Sequence, residues 1–138
     1  MRRRIVTIAA LVLVLLPLVA DDASARNHRT AITDDCLNVA VRPSSIVFAC
    51  ADGGFLVRQL DWTAWLQNHA RARGVFHQND CHPSCAQGHL HTRAGELRVH
   101  GRRWCPHIER YVFRRAVIRF DAPLLGRQGM RFGLSCPL

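Results

Sequence analysis

The chain is 138 residues long, with 49% hydrophobic and 21% charged residues, which excludes a disordered polyelectrolyte and leaves room for one folded domain. All 19 basic residues are arginine, against 10 acidic residues, for a formal net charge of +9. That balance predicts attraction to polyanions, such as nucleic acid or an anionic cell-envelope polymer, although a complete lack of lysine is also what arginine-favouring codon usage produces.

Residues 1–25 read as a signal helix that is cleaved. Arg2 to Arg4 make a cationic start, Ile5 to Leu16 form an apolar run broken only by Thr7, and Ala23-Ser24-Ala25 offers small residues for cleavage, with Ala20 as the alternative. A spanning helix needs about 20 apolar residues. This run is shorter and is closed by Asp21 and Asp22, so no stable membrane span is expected after cleavage. The Arg2 to Val6 stretch also loosely fits a twin-arginine signal, with ordinary secretion the preferred route.

The part that remains, 26–138, keeps 16 arginines against eight acidic residues and all six cysteines: Cys36, Cys50, Cys81, Cys85, Cys105 and Cys136. An even cysteine count in a short exported chain predicts a disulfide framework. The simplest pairing is Cys81–Cys85, with Cys36–Cys50 and Cys105–Cys136 following.

Residues 26–45 are polar and predict a poorly ordered lead-in to a single β-rich domain over 46–138. Ile46 to Cys50, the turn Ala51-Asp52-Gly53-Gly54, and Phe55 to Trp62 predict a hairpin. Trp65 to Arg73 reads as a short helix ended by Gly74, with Gly74 to Gln78 a further strand. Leu97 and Val99 alternate with Glu96, Arg98 and His100 as a half-buried strand does. Tyr111 to Phe120 predicts the longest strand, with Val112, Ala116, Ile118 and Phe120 on one face and Tyr111, Phe113, Arg115, Val117 and Arg119 on the other. Arg131 to Cys136 closes the chain, with Phe132 and Leu134 on one side. The expected fold is all-β, a small disulfide-stabilised sandwich or barrel of short antiparallel strands.

Three motifs, RPSSIVFACADGG (42–54), DWTAW (61–65) and HQNDCHPSCAQGHLH (77–91), resemble a family of small secreted proteins from high-GC Gram-positive (actinobacterial) bacteria. The family pattern is RPxxIxxACADG, then WxxW, then NxCxPxCAxGxxH, and the likeness covers roughly residues 42 to 120. The resemblance implies export and a compact β-rich domain, and it carries over no catalytic residue.

The cysteine–histidine stretch poses a choice between metal and staple. Tetrahedral zinc accepts sulfur and nitrogen ligands at such spacings, yet thiols outside the cytosol are oxidised, and Pro83 between the cysteines suits a small covalent loop. The staple is the reading preferred here. A sulfur-free alternative is copper or zinc held by His77, His89 and His91.

No G-x-S-x-G, H-E-x-x-H or P-loop is present, so an enzyme is the lesser expectation. Asp61 beside Trp62 and Trp65 is the one carboxylate placed for a sugar, but both tryptophans read as core. The enzymatic alternative is a small secreted hydrolase or nuclease, with His77 and His89 as acid and base and Arg98 on the phosphate. The leading expectation is an interaction module whose basic face binds anionic polymers through Tyr111, Phe113, Arg115 and Arg119, the rings stacking and the guanidinium groups pairing with phosphate.

Overall fold

The computed structural model describes residues 29–137; the expected signal helix lies outside them. Among the described residues, eight strands follow in chain order: β1 (Ile32–Thr33), β2 (Val39–Ala40), β3 (Ile46–Val47), β4 (Phe55–Trp65), β5 (His69–Asn79), β6 (Leu90–Cys105), β7 (Arg110–Leu124) and β8 (Arg127–Gly133). Strands β3 to β8 form one antiparallel meander in sequential order, and β1 pairs with β2 in a separate small ribbon. The sheet curls into a half-barrel, so the all-β, disulfide-stabilised fold expected from the sequence is what the chain adopts. Among the described residues, no helix is long and apolar enough to cross a membrane.

The alternation of side chains explains the curl. Phe55 and Val57 of β4, Ala70, Ala72 and Phe76 of β5, Leu97 and Val99 of β6, and Ala116, Ile118 and Phe120 of β7 all turn inward and are buried. The residues between them turn outward, as period-2 geometry requires. Rings fill the concave side: Phe55 stacks on Phe76 and Phe132, and Phe48 stacks on Phe132 at 4.9 Å, linking the β3 end of the sheet to its β8 end. An extra residue near Gln59 (φ 55°) shifts the β4 register between Arg58 and Asp61, so Val57 and Leu60 both reach the core.

Three sequence expectations change. Four strands run 11 to 16 residues, longer than the short strands anticipated, and β6, at 16 residues, rather than β7, at 15, is the longest. Trp65 to Arg73 is not a helix: it is the end of β4, a tight turn closed by Leu66 N–H donating to His69 O at 2.8 Å, and the start of β5. Ala70 and Ala72 are the buried alternate positions there; alanine favours helices intrinsically, and cross-strand pairing overrides that preference.

The third change concerns the polar lead-in, whose described part is packed. Ala31 and Ile32 are fully buried. Ala31 donates to Tyr111 O at 2.8 Å and accepts from Phe113 N–H at 2.9 Å, while Asp34 O accepts from Val47 N–H at 2.7 Å. Residues 31–34 therefore run from the edge of β7 to β3 and bridge the open side of the half-barrel. Trp65 Nε1 donates to Thr30 O at 3.0 Å and Trp62 Nε1 to Pro43 O at 2.7 Å. Both tryptophans pack against the core, as their sequence context indicated.

The three disulfides are Cys36–Cys50, Cys81–Cys85 and Cys105–Cys136, with no free cysteine among the described residues. Such crosslinks form and persist in an oxidising environment.

Candidate functional site

The cysteine–histidine loop between β5 and β6 is built around Asp80 and Asn79. Asp80 accepts backbone N–H bonds from His82 (3.1 Å) and His89 (2.9 Å), and its other oxygen meets His91 Nε2 at 2.9 Å. The His91 ring first, then the His89 and His82 amides, hold the Asp80 carboxyl far below the ordinary carboxylate range. Asn79 accepts from Cys81 N–H and donates to Cys85 O, fastening the loop beside its disulfide. This network spends polar groups on shaping the loop.

Of the three imidazoles expected to hold copper or zinc, His89 and His91 both approach Asp80 Oδ2, at 3.8 and 2.9 Å, and His77 does not join them. Gln78 pairs with His91 and His77 with Thr92, so His77 and His91 lie on opposite faces of the sheet. Burial first, and Arg58 second, lower the His77 pKa. Among the described residues, the one set of three ligand groups within 4.8 Å is Asp52 with Cys81 and Cys85. Those two sulfurs are bonded to each other and offer no thiolate. The nuclease trio is equally dispersed: Arg98 lies six residues along β6 from Thr92, the partner of His77, roughly 20 Å away at strand spacing. Asp61 stands opposite Arg73, with no second carboxylate facing it in the register.

The predicted binding strip of β7 is divided by the fold. Phe113 is 0% exposed and packs edge-on against Trp65, with ring centroids 5.4 Å apart. The inward–outward order inverts between Phe113 and Ala116, both core residues separated by the exposed Arg114 and Arg115. Opposite Arg114 stands Gly101, whose φ of +66° an L side chain rarely adopts, and the β6–β7 hairpin changes face at that point. Tyr111 lies beyond the inversion, covered by the Arg102 guanidinium 3.6 Å from its ring centre and by the 45% exposed Trp104. Phe113 is thus withdrawn from the strip and Tyr111 is separated from it. Arg115 and Arg119 remain on the outer face.

On that face the register builds something the single-strand reading missed. Arg71 pairs with Arg98, Arg98 with Val117, and Val117 with Arg131, so these four side chains form one row across β5 to β8. The next row is Arg73, Glu96, Arg119 and Gly129; the row on the other side is His69, His100, Arg115 and Gly133. Val117 is consequently ringed by four arginines, Arg98 and Arg131 on flanking strands and Arg115 and Arg119 two residues before and after it.

Charge on this face is only partly compensated. Glu96 takes both Arg98 and Arg71 (3.6 Å), and Asp121 takes Arg73. Among the described residues, Arg115, Arg119 and Arg131 have no ion pair or side-chain hydrogen bond. Two shallow clefts flank Arg131. One, of about 470 Å³, is lined by Arg119, Arg127, Gly129 and Arg131; the other, of about 510 Å³, by His100, Arg115, Arg131 and Gly133. The sequence signal was present, since β5, β6, β7 and β8 each carry arginine at outward positions, but it becomes legible only once the strands are set in register.

Fold and face together define a disulfide-stapled β half-barrel with a cationic outer surface. No protein-family model matches the chain, nor does any curated protein or solved structure.

Proposed function

We propose that this is an exported binding module of the extracellular space or cell envelope, which holds anionic polymers on the outer face of β5 to β8. The likeness of its motifs to secreted actinobacterial proteins and its signal-like N-terminus belong to the same proposal. What carries it is the ring of Arg98, Arg115, Arg119 and Arg131 around Val117, three of its members without an acidic partner among the described residues. Keeping uncompensated guanidinium groups this close costs self-repulsion that a polyanion relieves. The exposed position and the shallow clefts suit a long ligand better than an enclosed small molecule.

Counterion release supplies the test. A polyanion whose phosphates pair with about three arginines should bind with a log–log salt slope of roughly −2 to −3, which is about thirtyfold between roughly 50 and 200 mM salt. Affinity measured by titration across that range should follow this slope. An affinity that stays flat as salt rises would end the proposal.

A further inference from the structure

The arrangement of the ring says more than positive charge alone. Same-face residues of a strand recur every two residues, roughly 6.8 Å and six backbone bonds apart. Arg115, Val117 and Arg119 occupy three consecutive outward positions of β7, with Arg98 and Arg131 flanking the middle one. Cationic rows therefore repeat at that interval, and the centre of the middle row is an apolar side chain. A phosphodiester chain has the matching pattern, because its phosphorus atoms also recur every six bonds and are joined by carbon-bearing links.

Room for such a chain exists on the β8 side. Gly133 stands opposite Arg115 and leaves the cleft between Arg115 and Arg131 open; Gly129, opposite Arg119, lines the other cleft, and there the close approach of β8 to Ile118 O already requires glycine. A Cβ built on Gly133 would meet nothing within 4 Å. Packing therefore does not demand glycine there, and neither does a positive φ.

We propose that one extended phosphodiester chain lies along β7 and β8, in step with the strand, its successive phosphates held by Arg115, Arg131 and Arg119 and its carbon-bearing links crossing between these rows on either side of Val117. This rests on the polyanion-binding reading above and adds to it a seated path with a fixed direction. The guanidinium fork suits phosphate oxygens, and Arg127 and His100 line the outer ends of the path.

The test compares the intact protein with Arg131→Gln, Gly133→Val and Arg103→Gln, the last removing an exposed arginine beyond the Gly101 inversion. Fluorescence anisotropy is read with two labelled probes, a thymidine homo-oligonucleotide and an oligomer of glycerol phosphate, and with inorganic polyphosphate as competitor. Arg131→Gln and Gly133→Val should each weaken the phosphodiester probes about tenfold, while Arg103→Gln changes affinity less than about twofold. Polyphosphate, with denser charge and no carbon links, should compete poorly per phosphate. Equal binding of the two probes assigns recognition to the backbone they share, and a preference for the oligonucleotide identifies the chain as nucleic acid. If Gly133→Val is silent and Arg103→Gln costs as much as Arg131→Gln, the seated path is wrong while the polyanion module survives. If the intact protein binds no probe at any salt concentration, both fall.

Discussion

Removing the Cys105–Cys136 bridge should destabilise the domain far more than removing Cys81–Cys85. The first closes a 31-residue separation and joins the end of β6 to the C-terminal tail; the second closes only four residues. Treating each bridge as a restriction of the unfolded chain gives about 3.7 kcal/mol for the long loop and about 1.9 kcal/mol for the short one at 25 °C. The long bridge also anchors tail contacts that its loss would loosen: Thr33 Oγ1 donates to Ser135 O at 3.0 Å, and His107 Nε2 meets Pro137 O at 2.8 Å. Cys105 is fully buried, so alanine at both positions removes the bond without burying a new hydroxyl. Urea unfolding followed by tryptophan fluorescence is the assay. At a slope of about 1.3 kcal/mol/M, the midpoint should fall by about 3 M for Cys105→Ala/Cys136→Ala and about 1.5 M for Cys81→Ala/Cys85→Ala. Equal shifts for the two pairs, with unchanged slopes, would refute the loop argument.

Other outcomes follow from single residues. Phe113→Ala should cost about 3–5 kcal/mol as a deleted core ring, whereas Tyr111→Ala, on the half-buried rim, should cost under about 1.5 kcal/mol; thermal melts of the two variants separate them. Gly129→Ala should cost about 1–3 kcal/mol, because its Cβ would lie 2.3 Å from Ile118 O and must wedge β8 from β7; hydrogen exchange should then show faster β8 amides than in the intact protein. Asp80 has a folded-state pKa below its unfolded value of about 3.9. Its contribution to stability is therefore complete above that pH and is lost as pH falls below it toward the lower folded value. Melts between about pH 5 and pH 2 should show Asp80→Asn with a shallower acid decline than the intact chain.

Sequence alone revealed those elements whose partners are local or whose alternation is uninterrupted. Leu97 and Val99 against Glu96 and Arg98 are strand-like without help from the rest of the chain, and the β3–β4 hairpin is marked by its Asp-Gly-Gly turn. All three disulfides join cysteines adjacent in chain order, so the simplest pairing is the observed one. The failures share a cause in interrupted periodicity. Gln59 and Gly101 each reset which residues face inward, and nothing local forecasts that Leu60 or Phe113 will be buried as a result. Ala70 and Ala72 are too small to give an apolar signal. The arginine ring combines residues of β6, β7 and β8, and its form depends on register, which single-strand patterns do not contain.

The strap of residues 31–34 joins parts of the chain that are far apart in sequence, since Ala31 pairs with Val112 and Asp34 with Val47. Closing this seam must wait until β7 has been placed, and the entropy of the long intervening loop makes it a late event in folding. It is held by the buried Ala31 and Ile32, by backbone hydrogen bonds and by the neighbouring Cys36–Cys50 bridge rather than by a continuous ladder, so once formed it pins β7 to β3. The concave side is thereby closed by residues 31–34, while the cationic outer surface of β5 to β8 is assembled from the meander alone.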